Sequence, residues 1–90
     1  MLTIKYENSF KKEYKKMLKR GCDPARLEEV LSFLVNQTKL PPRFKEHVLS
    51  SRWDGLRECH ITPDWLLIYC IDEEMNVLHL IRTGTHSDLF

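Results

Sequence analysis

Four histidines in a chain of ninety residues all fall in its second half: His47, His60, His79 and His86. Imidazole exchanges a proton near neutral pH without further tuning, so each is a candidate acid or base. The ending Arg82-Thr83-Gly84-Thr85-His86-Ser87-Asp88-Leu89-Phe90 is the most informative stretch. An arginine leaving a strand, a glycine bend and a histidine can bring a guanidinium and an imidazole to one rim of a sheet. The guanidinium holds phosphate oxygens through a planar, permanently charged fork. The pair therefore suits phosphodiester chemistry, although a capping histidine beside a salt-bridged arginine would leave the same spacing. His60 stands just before a turn that holds Asp64 and Trp65, and His79, between Leu78 and Leu80, reads as a structural histidine within a strand. The histidine separations of 13, 19 and 7 residues match no local metal motif, so neither metal nor cofactor is expected. Trp53 and Trp65 each adjoin an aspartate. A tryptophan on a sheet rim can stack on a nucleobase or fill the core, and Trp53 reads as core. Chain ends usually fray, so an aromatic last residue, Phe90, points to a terminus that is packed or used in binding.

The elements that must carry these groups follow from the apolar pattern. Leu2, Ile4 and Tyr6 alternate with polar residues, as in a short strand. Asn8 or Ser9 offers a cap for a helix whose apolar positions are Phe10, Tyr14, Met17 and Leu18, with Gly21 as its stop. Asp23-Pro24 starts a second helix with a capping carboxylate and a first-turn proline, and Leu27, Val30, Leu31 and Leu34 form its buried face. The short join predicts an antiparallel hairpin, and Pro41-Pro42 ends the helical half. An irregular stretch runs to about Asp54. Three strands follow, at Leu56 to Ile61, Trp65 to Ile71 and Val77 to Arg82, with turns between them. The middle one is nearly all apolar and needs cover on both faces. The expectation is a single α+β domain over residues 1–90, with an N-terminal strand and a helix hairpin packed on an antiparallel sheet.

Composition narrows the class. Hydrophobic residues at 42% and charged residues at 30% are ordinary for a globular domain. No apolar run approaches the ~20 residues of a membrane span, and the N-terminus lacks a secretory signal, so a cytoplasmic protein is expected. Cys22, Cys59 and Cys70 are odd in number and unpaired in spacing, which argues against a disulfide framework and a zinc knuckle. The net charge of +1 hides an uneven distribution: residues 1–20 hold seven basic and two acidic residues, whereas Asp72-Glu73-Glu74 are all acidic. A basic face of this kind suits a polyanion, or is simply solvated.

Several short motifs occur in order: Leu40-Pro41-Pro42-Arg43, His47, Trp53, Arg57-Glu58-Cys59-His60-Ile61, Pro63-Asp64-Trp65-Leu66-Leu67-Ile68-Tyr69, and the ending from Arg82 to Phe90. Together they resemble the YafQ family of toxins, within the RelE/ParE superfamily, over nearly the whole chain. The resemblance implies a RelE/ParE-like fold and a ribosome-dependent endoribonuclease (an mRNA interferase) that cuts mRNA in the ribosomal A site without a metal. It also implies a cognate antitoxin as partner. Its site would be His47, His60, Asp64, Trp65, Arg82, His86 and Phe90. In that site His86 would transfer a proton, as the acid, and His60 or His47, assisted by Asp64, would be the base or would orient it. Arg82 holds the phosphate, while Trp65 and Phe90 stack on RNA bases. The net charge is low for a protein that docks on ribosomal RNA. The alternative is a non-enzymatic ParE-like toxin that inhibits DNA gyrase by protein binding, which would need no imidazoles at the rim.

Overall fold

The computed structural model describes residues 1–49 and 55–90; Trp53, read above as a core residue, lies outside the described residues. The chain runs β1 (Thr3–Tyr6), α1 (Asn8–Lys19), α2 (Pro24–Val35), a 3₁₀ turn (Pro42–Phe44), β2 (His47–Val48), β3 (Arg57–Thr62), β4 (Trp65–Asp72), β5 (Val77–Gly84) and α3 (His86–Leu89). The five strands form one sheet in the order β1-β5-β4-β3-β2. Strands β2 to β5 are antiparallel, but β1 runs parallel to β5 and pairs Thr3–Tyr6 with Val77–Leu80. The sheet is therefore mixed rather than antiparallel throughout, because the chain returns to β1's side only after both helices and the meander have intervened.

Both helices follow from their sequence punctuation. At the end of α1, Gly21 takes a positive φ of 95°, its N–H bonds Leu18 O, and the Cys22 N–H bonds Met17 O. This is the paired helix-ending motif that glycine favours. Asp23 caps α2 by accepting from the Ala25 N–H, with Pro24 in the first turn. The cap of α1 differs from expectation: Glu7 holds that position, and its side chain does not cap the helix. Glu7 reaches His79 Nδ1 at 2.9 Å, and Ser9 Oγ donates to Ile81 O at 2.6 Å. Both groups are thus spent on fixing α1 against β5.

The two faces of the sheet are covered unequally. Phe10 and Met17 of α1 and Leu27, Val30, Leu31 and Leu34 of α2 join Cys59, Ile61, Trp65, Leu67, Tyr69, Leu78 and Leu80 in the main core. The opposite face has a small second core, Leu66 and Ile68 capped by Leu89 of α3, with Leu49, Leu56 and Ile81 around it. Trp65 to Tyr69 are all buried, as the apolar run of β4 requires. What covers their second side is α3, an element too short for periodicity to reveal. Strand β2, two residues long, is likewise hidden within the irregular stretch.

Candidate active site

The register across the sheet lines up the candidate residues. His47 pairs with Glu58, Glu58 with Ile68, and Ile68 with Arg82. The adjacent row is His60, Leu66 and Gly84. Directly paired residues share a face, and strands lie ~4.8 Å apart, so the first row spans about 14 Å from His47 to Arg82. The face is the one α3 covers, since Leu66 and Ile68 pack on Leu89. Two groups of candidate side chains thus belong to this face: His47, Glu58 and His60 on β2 and β3 by register, and His86 and Phe90 at the two ends of the short helix that covers it.

Glu58 is the residue that sequence reasoning passes over. It is buried at 3% exposure on a strand otherwise expected to hide apolar groups. One carboxylate oxygen lies 3.3 Å from His47 Nε2 and 3.9 Å from His60 Nε2. Its other oxygen has no hydrogen-bond partner among the described residues. Leaving a buried carboxylate oxygen without a partner is costly. A signal is present in the sequence: Glu58 and His60 are two apart in a strand and so share a face. His47 Nδ1 donates to Lys45 O at 3.0 Å, which turns Nε2 toward Glu58. The left-handed backbone of Lys45, at φ 48°, forms the bend that sets up this contact. Beside it Glu46 takes the Tyr69 hydroxyl and the Arg57 guanidinium. Burial, reinforced by Glu46, pushes the Tyr69 hydroxyl far above its ordinary range.

The C-terminal side is held by caps. Thr85 accepts from the Asp88 N–H, and Asp88 accepts from the Thr85 N–H, a reciprocal box at the start of α3. Asp88 also binds Arg20 at the end of α1, 2.7 Å away. The Arg20 guanidinium first, then the Thr85 donors, hold the Asp88 carboxyl well below the usual carboxylate range. A Cβ on Gly84 would stand 2.9 Å from Asp88 Cβ, so α3 can approach the strand only over glycine. His86 is exposed, with its ring 5.2 Å from the half-exposed ring of Phe90.

Three expected site residues are not drawn into this cluster by side-chain bonds. Asp64 sits exposed at the tip of the β3–β4 turn and makes no hydrogen bond or ion pair to the histidines. Burial raises the titration of the Cys22 thiol, Arg20 opposes it, and the field of Asp64 adds a smaller upward push. Arg82 lies in the row by register, but its guanidinium is paired with Glu13 of α1, at 2.6 Å. Trp65 requires a correction. It is 1% exposed, donates Nε1–H to Thr83 Oγ1 at 2.7 Å and stacks on Tyr14, so it has no free face for a nucleobase. The residues that follow it in β4 are apolar on both sides of the sheet, which draws the strand and its indole inside. His79 is structural as expected, bound to Glu7. Among the described residues, no group of three or more His, Cys, Asp or Glu side chains is arranged to hold a metal ion, and no helix is long and apolar enough to cross a membrane.

A small α+β domain with a helix hairpin on one face of its sheet and a histidine-bordered site on the other is the architecture of a class of bacterial toxins. Residues 2–90 match the family described as bacterial toxin of type II toxin-antitoxin system, YafQ. The chain is 41% identical over 88 residues to the mRNA interferase toxin YafQ of Escherichia coli strain B, covering 97% of this chain and 94% of that one. Among solved structures it is similar to a metal-bound toxin from Helicobacter pylori, with a TM-score of 0.94, 41% identity and full coverage of both chains. It is also similar to the toxin in the E. coli DinJ–YafQ complex, with a TM-score of 0.89 and 40% identity over 100% of this chain and 99% of that one. The chain thus belongs to the YafQ family of type II toxin–antitoxin toxins.

Proposed function

We propose that this protein is an mRNA interferase that cuts mRNA in the ribosomal A site, by attack of the RNA's own 2′-hydroxyl, and that a cognate antitoxin neutralises it. The observation that carries the reading is the row His47–Glu58–Ile68–Arg82, with His60 beside it and α3 across the same face. Imidazoles and a buried carboxylate share one surface of the sheet, and Arg82 joins the row by register while Glu13 holds its guanidinium. A protein that acts only by docking on another has no need of that combination. The E. coli relatives are named mRNA interferases, and one is solved bound to the antitoxin DinJ.

The chemistry balances without a metal. The 2′-oxygen loses its proton to an imidazole of the His47–Glu58–His60 group and bonds to phosphorus. The bond from phosphorus to the 5′-oxygen then breaks, and His86 protonates the leaving oxygen. The product upstream ends in a 2′,3′-cyclic phosphate. Glu58 orients the basic imidazole and steadies the charge that it gains, Asp64 adds negative charge from the neighbouring turn, and Arg82 offsets the charge growing on the phosphate. Phe90, half exposed beside His86, stacks on an RNA base. Dependence on the ribosome has a physical basis: one small face cannot hold flexible RNA in line for attack, whereas the decoding centre fixes its geometry.

Toeprinting of a defined mRNA on programmed ribosomes tests this. Cuts at the A-site codon are expected from the native protein, none on free RNA, and a rate about 10²–10⁴-fold lower for His86→Gln. Protein stripped of transition metals on a chelating resin should cut as well as untreated protein. Full cleavage by His86→Gln would remove that residue from the acid role. Growth arrest with no RNA cut would instead indicate a protein target of the gyrase type.

A further inference from the structure

Beyond the end of β1, the outer edge of β5 has no strand beside it among the described residues. β1 covers β5 only as far as Leu80, whose carbonyl takes the Glu7 N–H. From there side chains of α1 take over: Ser9 binds Ile81 O, and Glu13 accepts the Thr83 N–H at 3.3 Å. An unpaired strand edge needs such cover, but a neutral group serves the purpose, as Ser9 shows. The charge on Glu13 answers to something else. Arg82 Nη2 is 2.6 Å from Glu13 Oε2, and Nε is 3.2 Å from each carboxylate oxygen. A guanidinium has five N–H groups. Glu13 engages the Nε side and one hydrogen of Nη2; among the described residues the Nη1–Nη2 edge has no hydrogen-bond partner, and an edge of that kind suits a phosphate as a fork.

The support under this contact is rigid. Thr83 is buried, accepts from the Trp65 indole and donates to Leu66 O, each at 2.7 Å. Glu13 therefore holds the side chain of residue 82 and the backbone of residue 83 together, on a strand pinned by the core. The pair borders a cleft of about 230 Å³, also lined by Lys16, Met17 and Asp88, at the end of the sheet where α3 begins.

We infer that Glu13 is the positioning residue for Arg82: it clamps one edge of the guanidinium so that the other is presented, already ordered, to an RNA phosphodiester. The inference rests on Arg82 contacting the scissile phosphate, as proposed above. A free arginine would surrender its rotamer freedom at each encounter, whereas a clamped one has done so on folding. The same contact read as a plug, displaced by substrate, predicts the opposite sign.

The test is single-turnover cleavage on programmed ribosomes by the native protein, Glu13→Gln, Arg82→Ala and the double variant, alongside the ¹⁵N-detected signal of the Arg82 Nε–H. Glu13→Gln should keep the Thr83 contact, lower the maximal rate at least tenfold, leave half-saturation by ribosomes within twofold, and broaden the Arg82 Nε–H. In the Arg82→Ala background Glu13→Gln should change nothing further, which a general structural role would not produce. Unchanged or faster cleavage by Glu13→Gln, with Arg82→Ala impaired, overturns the inference. So does an Nε–H in the native protein that exchanges as fast as in free arginine, a result independent of whether any variant folds. Full activity in Arg82→Ala would show instead that the reading of Arg82 itself fails, and Glu13 with it.

Discussion

At the scale of single residues, the two aromatic rings that the sequence offers as base-stacking partners have opposite physical surroundings. Trp65 is sealed in the core between Tyr14 and the Thr83 hydroxyl, whereas Phe90 is half exposed beside His86. Their substitutions should separate. Trp65→Phe loses one buried hydrogen bond and part of a ring, about 2 kcal/mol together, which in a domain of this size lowers Tm by roughly 10 °C. Its half-saturation by substrate should not move, since the buried indole has no exposed face to offer RNA. Phe90→Ala should lower Tm less than Trp65→Phe does and weaken binding, by about 1–3 kcal/mol for the missing base stack. Thermal melts and saturation curves on the two variants decide the matter; weakened binding at unchanged Tm in Trp65→Phe would contradict the assignment. The sequence shows residue types well and exposure poorly. Aspartate beside tryptophan looks the same whether the indole faces solvent or, as in β4, follows the strand into the core. Glu58 escapes notice for the complementary reason: a charged residue in a strand reads as solvent-facing, and only the pairing with β2 reveals that His47 closes over it.

At the scale of elements, long and well-punctuated segments are legible in the sequence, and short ones are not. Both helices, with their Gly21 stop and Asp23-Pro24 start, and the three strands of the meander carry periodic patterns several residues long. The two-residue β2 and the four-residue α3 carry none, yet they deliver His47 and His86. α3 is held by contacts distant in sequence, Leu89 on Leu66 and Ile68 and Asp88 on Arg20. Its docking should therefore respond to acid. The Asp88 carboxyl is depressed in the folded protein, chiefly by Arg20, so ionised Asp88 stabilises the docked form above the ordinary aspartate value of about 3.9, and this contribution disappears as pH falls through the folded value. NMR of the Leu89 methyls should show α3 docked at neutral pH and loosening only below about pH 4. Asp88→Asn should remove that acid response and loosen α3 already at pH 7. Gly84→Ala should loosen it in a different way, by setting a methyl against Asp88 Cβ. Native Leu89 signals and native cleavage in the Gly84→Ala variant would show that the close approach of α3 to the strand does not govern the site.

For the whole molecule, the relevant quantity is where the charge lies. The β5 strand runs from the acidic Asp72–Glu74 turn to α3, about 26 Å at the usual strand rise. Arg20 and Glu13 tie α1 to the α3 end of that strand. At 100° per residue, Lys11, Lys12, Lys15, Lys16 and Lys19 fall within an arc of about 140° on α1, away from Phe10 and Met17, and all five are exposed. A net charge of +1 thus resolves into basic residues along α1 toward the α3 end of the strand and acidic ones at its other end. A polyanion would meet the basic end first, so a low total charge is compatible with directed docking on RNA. Neutralising phosphates releases counterions, and each neutralised phosphate steepens the fall of affinity with salt. Replacing Lys11, Lys12 and Lys15 by glutamate should weaken ribosome association at low salt and flatten its dependence on log[salt]. The slope should shrink by about 0.7 for each phosphate no longer neutralised, if the RNA is single-stranded there. Tm should stay within a few degrees, because the three side chains leave the core untouched, and cleavage at saturating ribosome should persist because, among the described residues, none of them bonds Arg82 or a histidine. Sedimentation with ribosomes across a salt series measures the slope. A slope equal to the native one would mean that this helix faces solvent, and that another surface carries the protein to its substrate.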